Sequence, residues 1–223
     1  MTAEVYDHLR RLSQTKRLLR LTFPHDDAPQ TAQHSELVIN RLEAQEGLGL
    51  DFQYTLELLS DNAHLALKDF MGKMLCVELV RADGSLRYFN GLCFEFALVK
   101  SDDGIAYYQA VLRPWLHYLR LRSNNRVFRD QNLHALSETL FAEYGAEAQW
   151  HWRVHSTDAN FTMAIQFDES DHNFLYRRWE EAGYSTWYEH SAKGHTLVIS
   201  DDTVNAKPID GDNDAIRYQD EGG

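Results

Sequence analysis

Apolar and polar positions alternate strictly over Phe52-Gln53-Tyr54-Thr55-Leu56-Glu57-Leu58, the period of a strand with one buried face. Shorter apolar runs at Leu18 to Phe23 and Leu37 to Ile39 fit two more strands. A loop broken by Pro24 and Pro29 around the acidic pair Asp26-Asp27 separates them, and Gly47-Leu48-Gly49 supplies a turn before Phe52. Leu65 to Met71 predicts one or two helical turns stopped at Gly72. Three long strands are then expected, at Lys73 to Arg81, Leu86 to Val99 and Ile105 to Leu116, joined at Asp83-Gly84 and Asp102-Asp103-Gly104. Residues of these types accept the positive φ that tight hairpins need. With no crossover helix between the hairpins, residues 17 to 118 predict an antiparallel barrel or sandwich and argue against a doubly wound α/β enzyme.

The period then lengthens. Leu133, Leu136, Leu140 and Phe141 mark an amphipathic helix closed near Gly145, and Gln149 to Val154 and Phe161 to Phe167 suggest two strands. Ser170 stands where it can cap a helix whose Phe174, Leu175, Trp179 and Ala182 share one face, and Gly183 ends it. From Tyr184 the pattern alternates again, with Tyr184, Thr186 and Tyr188 opposite Ser185, Trp187 and Glu189. A turn at Lys193-Gly194 leads into a last strand from His195 to Ser200. Thr2 to Leu12, with Val5, Leu9 and Leu12 on one side, fits a short amphipathic helix or a floppy leader. Past Ser200 only Ala215 to Tyr218 hints at a strand, and the domain is expected to be incomplete at its C-terminal end. The predicted class is β-rich α+β, an antiparallel β-barrel-like domain over residues 1–118 followed by a smaller α+β domain over residues 119–223.

Composition narrows the function. The 223 residues are 43% hydrophobic, enough for a real core, and no apolar run is long enough to cross a bilayer. Export by a signal peptide is not expected, because the N-terminus lacks the basic-then-apolar pattern. The net charge of −12 opposes a phosphate backbone, so no nucleic-acid partner is expected. Arg120, Arg122, Arg126 and Arg129 cluster around Asn124-Asn125 and read as surface charge at a domain junction.

Candidate chemistry is sparse. Cys76 and Cys93 flank the Ala82–Ser85 turn and are expected as reduced core thiols on neighbouring strands. His151 and His155 are four apart, a metal-ligand spacing on a helix, but a strand there separates them. Glu189, His190 and His195 meet across a hairpin yet fall short of an organised zinc ligand set. Glu180 and Glu181 are adjacent on a helix and point apart, so they make no acid/base pair. No Gly-x-Ser-x-Gly elbow is present. Core packing accounts for Trp115, Trp179 and Trp187, whereas Trp150 and Trp152, flanking His151 on one strand face, are candidates for an interface. No catalytic, cofactor-binding or metal-ligating residue is assigned, and no enzymatic activity is expected.

Leu175-Tyr176-Arg177-Arg178-Trp179-Glu180-Glu181-Ala182-Gly183-Tyr184, continued by Trp187-Tyr188-Glu189-His190 and His195-Thr196-Leu197-Val198-Ile199-Ser200-Asp201, resembles the VgrG family of type VI secretion spike proteins. Arg113-Pro114-Trp115-Leu116 with Arg126-Val127-Phe128-Arg129-Asp130-Gln131 is similar to that family's linker into its second domain. Phe70-Met71-Gly72-Lys73, Asp83-Gly84 and Phe89-Asn90-Gly91 are similar to its early barrel. The resemblance runs from about Leu18 to Asp201. It implies a phage tail-hub-like fold and a structural role as the hub or base of the spike, joining the ring-shaped Hcp tube to the puncturing needle and helping to deliver effectors. It further implies a homotrimer, effector or adaptor contacts, no cofactor, no membrane insertion by this segment, assembly in the cytoplasm and secretion by the type VI system. A tail hub of a contractile-tailed phage or prophage is the alternative. The matched region stops before the rest of the hub, the following barrel and the needle, so edges that the missing part would cover are expected to be exposed, with poor behaviour in isolation unless the chain self-associates or finds a partner.

Overall fold

The computed structural model describes residues 17–30 and 37–204; the expected elements at Thr2 to Leu12 and Ala215 to Tyr218 lie outside them. Six strands form the first sheet: β1 (Leu19–Thr22), β2 (Val38–Gln45), β3 (Gln53–Ser60), β4 (Met74–Val80), β5 (Leu86–Asp102) and β6 (Ile105–Arg113). Their spatial order is β1-β4-β5-β6-β3-β2, every pair antiparallel. The sheet curls until its edge strands β1 and β2 come within 8 Å, Cα to Cα, without pairing. The expected barrel-like unit is this half-barrel.

The alternation read at Phe52 to Leu58 places Tyr54, Leu56 and Leu58 inside it. On β6 the inward residues are Ala106, Tyr108, Ala110 and Leu112, and on β4 and β5 Leu75, Val77, Phe89, Cys93 and Phe96 fill the same core. Asp103 and Gly104 both have positive φ, 48° and 76°, as the turn between β5 and β6 requires. Gly91 has a different reason to be glycine: a Cβ there would lie 2.9 Å from the Phe52 ring, 3.0 Å from the Arg113 carbonyl oxygen and 3.1 Å from Leu112 Cβ. Gly91→Ala is therefore expected to lower stability by about 1–3 kcal/mol through overpacking, read as a lower urea midpoint, and an unchanged midpoint would contradict this packing.

Several boundaries move. The expected helical turns before Gly72 are one 3-10 turn, Leu67–Phe70, and the strand expected to reach Leu116 stops at Arg113. Pro114 lacks the N–H a ladder needs, and a second 3-10 segment, Trp115–Arg120, follows it. The arginine-rich stretch, similar by sequence to a linker, is strand β7 (Ser123–Gln131), paired antiparallel with β9 (Phe161–Ser170).

Between them come helix α1 (Leu133–Phe141) and β8 (Trp150–Arg153). Asn132 caps α1 by accepting from Ala135 N, and the Asp158 carboxylate takes the N–H groups of Leu133 and His134 at 3.0 and 2.8 Å, satisfying donors that helix starts leave open. Helix α2 (Asp171–Glu181) begins as expected at Ser170, whose Oγ accepts from Asn173 N at 3.1 Å, and is stopped by Gly183 at φ 76°. The hairpin β10 (Ser185–Ser191) and β11 (Gly194–Ser200) follows, with β11 also parallel to β8.

Trp115, Leu136, Leu140, Phe141, Phe174 and Trp179 build a second apolar cluster with Leu197 and Ile199. Met74 and Leu92, on β4 and β5, belong to it too, so the half-barrel and the α+β part share a seam.

Candidate functional site

Two polar nodes close that seam. The first is Asp51, in the loop between β2 and β3, whose side chain is only 12% exposed. Its carboxylate accepts from Tyr188 Oη at 2.7 Å, His172 Nε2 at 2.9 Å, Tyr176 Oη at 3.0 Å and Arg120 Nη2 at 3.3 Å. Those partners come from β10, α2 and the 3-10 segment, so one side chain ties the half-barrel loop to three other elements. Gly49 N adds a bond to Thr186 O at 2.7 Å. Burial by itself would raise the Asp51 pKa, but the hydrogen bonds from His172 and Tyr188 and the charge of Arg120 outweigh it and hold the group at about 2.

The second node belongs to the histidines. His190 and His195 face each other across the hairpin, ring centroids 6.0 Å apart. The Tyr54 hydroxyl lies 3.0 Å from His190 Nε2 and also bonds the Glu46 carboxylate, while His190 Nδ1 is 3.0 Å from Asn90 Oδ1. Asn90 Nδ2 donates to Ser191 O at 2.6 Å. His195 Nε2 accepts from Trp115 N at 3.0 Å, which fixes the ring as neutral with its proton on Nδ1. Burial pushes the His190 pKa down to about 4, against the opposing pull of Glu46; burial and the neighbouring His190 push His195 well below its usual value. Glu189 is not in this node. It points outward to Arg153, with oxygens 2.6 and 2.8 Å from the guanidinium.

A third knot lies within the α+β part. The fully buried Asp171 carboxylate accepts from Arg122, Asn124, Tyr144 and Gln166 over 2.6 to 3.2 Å, and these bonds keep its pKa low despite burial. Arg122 and Arg126 also bond Glu143. Of the four clustered arginines, Arg120, Arg122 and Arg126 are thus spoken for by acids, and Arg129 has no ion pair among the described residues.

The chemistry open to these groups is that of clamps. Asp51 and His172 are paired as a base-orienting dyad would be, yet both carboxylate oxygens are occupied and His172 Nδ1 is buried without a partner among the described residues. No group of three His, Cys, Asp or Glu among the described residues is placed to hold a metal ion. His151 lies on β8, and His155 follows it, held by its backbone N–H on Asp201 at 3.0 Å. Cys76 and Cys93 are buried free thiols on neighbouring strands, pushed by burial to about 11 and about 12. Glu181 bonds Arg178 at 2.9 Å, and Glu180 lines a cleft beside it. Trp150 and Trp152 are not a free interface: Trp150 packs edge-on against Phe141, and both rings lie against His134 of α1. Trp115 and Trp179 are core, but Trp187 is only half-buried.

Sequence reasoning passed over Asp51, Asn90 and Asp171. Asp171 carried a signal, an acid in the first turn of a helix. Asp51 and Asn90 carried none, since their partners lie up to 137 and 101 residues away.

A sequence model of the phage tail baseplate hub (GPD) family matches residues 45–223. The VgrG1b spike protein of the type VI secretion system of Pseudomonas aeruginosa is 32% identical over 190 residues, covering 85% of this chain and 25% of the relative. This chain therefore spans about a quarter of that protein's length. Among solved structures, the Escherichia coli c3393 protein, a component of the type VI secretion system with structural similarity to the T4 bacteriophage tail proteins gp27 and gp5, superposes with a TM-score of 0.68 at 20% identity, over 78% of this chain and 51% of that one. The Francisella PdpA–VgrG complex matches with a TM-score of 0.56 at 10% identity, over 75% of this chain and 25% of that one. With four-fifths of its length inside the family match and a half-barrel joined to an α+β unit as its fold, the chain belongs to the phage tail baseplate hub (GPD) family, and it is similar to the VgrG spike proteins.

Proposed function

We propose that this chain is a structural part of the hub of a type VI secretion spike, seated between the Hcp tube and the needle. The observation that carries the reading is the 32% identity to a Pseudomonas spike protein across the half-barrel and the clamped α+β part together. The three carboxylate and histidine nodes suit such a role, because a part that transmits force must keep its pieces in fixed relation, and clamps from several elements to one buried group do that. On this reading the protein works by shape and complementary contacts, needs no catalytic residue or cofactor, associates as a trimer, and meets effectors or adaptors on its surface. Assembly takes place in the cytoplasm, and the protein leaves the cell with the spike. The family's own description favours one other reading, a tail hub of a phage or prophage, which neighbouring tail genes would mark.

The test is genetic. In a strain without other spike genes, deleting this coding region is expected to abolish release of the tube protein into the medium, and the intact gene to restore it. Undiminished release in the deletion strain would refute the proposal.

A further inference from the structure

Beside the Asp51 node, a cavity of about 370 Å³ opens between the β2–β3 loop and the 3-10 segment Trp115–Arg120. A 3-10 helix turns once every three residues, so positions three apart share a face. Leu116 and Leu119 are accordingly both buried, while His117 and Arg120 both line the cavity. Arg113, the last residue of β6, joins them there. Three basic side chains thus share one cavity in a chain whose net charge is −12.

Their hydrogen bonds are few. Among the described residues Arg120 gives only Nη2, to Asp51 at 3.3 Å, the longest of the four contacts on that carboxylate. Arg113 gives only Nη2, to Glu95 at 3.4 Å, and the Glu95 side chain is 63% exposed, a surface pair that contributes little. The His117 ring packs edge-on against Phe94 at 4.7 Å, and its nitrogens make no hydrogen bond among the described residues. A guanidinium carries several donors in one plane, so both arginines keep most of theirs for another acceptor.

The acids on the cavity wall are already engaged. Glu46 bonds Tyr54 and Arg87, and Asp51 is turned to His172, Tyr176 and Tyr188 at the seam. Burial, with the charges of Arg113 and Arg120, pushes the His117 pKa down to about 4; His172 adds to the push and Asp51 opposes it. The field of the two arginines therefore reaches into the cavity. A neighbouring cleft shares Arg120 but is also lined by Glu169 and Glu180, which repel an anion, so the Arg113 side is the one suited to negative charge. Leu50 lines the cavity at 64% exposed, and Leu48 beside it is 60% exposed, an apolar shelf next to the charged wall.

We propose that this cavity binds a carboxylate of a peptide, held between Arg113 and Arg120, with an adjoining apolar residue resting on Leu50 and Leu48. A planar carboxylate matches the guanidinium fork, and charge-assisted bonds of this kind are about twice as strong as neutral ones. The overall negative charge does not prevent this, because at physiological salt charges more than about 8 Å away are largely screened. The site is defined without the hub reading and is tested on the purified chain, so its failure leaves that reading standing.

The measurement is NMR of the isotope-labelled full chain at pH 7, titrated with three tripeptides. The first has glutamate between two leucines and blocked ends. The second replaces the glutamate by glutamine, and the third is the glutamine peptide with a free C-terminal carboxylate. The wild type is expected to bind the first or the third with a dissociation constant of about 1 mM or tighter, shifting the side-chain N–H signals of Arg113 and Arg120 and the backbone signal of Leu50. Which of the two binds distinguishes a side-chain carboxylate from a chain end. The blocked glutamine peptide should bind about 10-fold more weakly or worse, and Arg113→Gln should weaken the carboxylate peptide by about 10-fold. The comparison of peptides on the wild type stands whether or not the variant folds. Neither carboxylate peptide binding in that range, the blocked glutamine peptide binding as tightly as they do, or a folded Arg113→Gln chain with wild-type affinity would each overturn the proposal.

Discussion

Asp51→Ala is expected to lower folding stability by about 3–5 kcal/mol, the range for removing one partner of a buried, hydrogen-bonded charge. The reason is what remains. Tyr176, Tyr188 and His172 lose the carboxylate that receives their donors in a buried site, and Arg120 loses its acid partner. Tyr188→Phe removes a single donor and should cost about 1–2 kcal/mol. Urea unfolding of the two variants beside the wild type measures both, and a loss under 1 kcal/mol for Asp51→Ala would show that the node is not a clamp. The pH dependence has a definite sign. The folded pKa of about 2 lies below the ordinary carboxylate value, so this stabilisation is complete above about pH 4 and disappears as the pH falls towards 2. It is worth about 2–3 kcal/mol.

Stability should begin to fall at higher pH than carboxylates alone would dictate, because the unfolded chain takes protons on His190 and His195 that the folded chain refuses. The His190 pKa is held near 4, against 6.5 for the free side chain, and His195 lies well below 6.5. The unfolded state therefore binds more protons between about pH 6.5 and 4. Stability is complete above pH 6.5 and declines through that window, by about 3 kcal/mol for His190. Protonating His195 at Nε2 also breaks its bond from Trp115 N. Glu46, 3.9 Å from His190 Nε2, and Asp51 oppose the effect but do not cancel it. Unfolding free energies at pH 7, 6, 5 and 4 test this. His190→Gln should be less stable at pH 7 and show a shallower decline, and a wild-type profile flat from pH 7 to 5 would contradict the account.

The adjacency of β4, β5 and β6 followed from turns legible at Asp83-Gly84 and Asp102-Asp103-Gly104, and the start of α2 followed from Ser170, whereas the places of β1, β2 and β3 in the sheet are set by contacts distant in sequence. β7 escaped notice because its alternation is carried by Asn124, Arg126 and Phe128 facing in, with polar groups doing what apolar ones usually do. Arg126 is half-buried against Glu143, a partnership that period counting does not register. Trp150 and Trp152 were misplaced for a related reason: their cover comes from α1, and a strand's own pattern says which residues share a face, not what lies on it. His190 and His195 were visible as residues, but their role depends on Tyr54, Asn90 and Trp115, which are distant in sequence. Local chemistry is written in the order of the chain, whereas the clamps are made by closing it.

The central claim, that the chain is the part of a spike seated on the tube, is most directly tested by mixing the purified protein with purified rings of the tube protein. Co-elution is followed by chromatography and mass. The account predicts a complex that forms with the wild type and is weakened with Asp51→Ala, whose seam between half-barrel and α+β part has lost one of its two polar clamps. Folded wild-type protein that leaves the rings unbound at every ratio would contradict it.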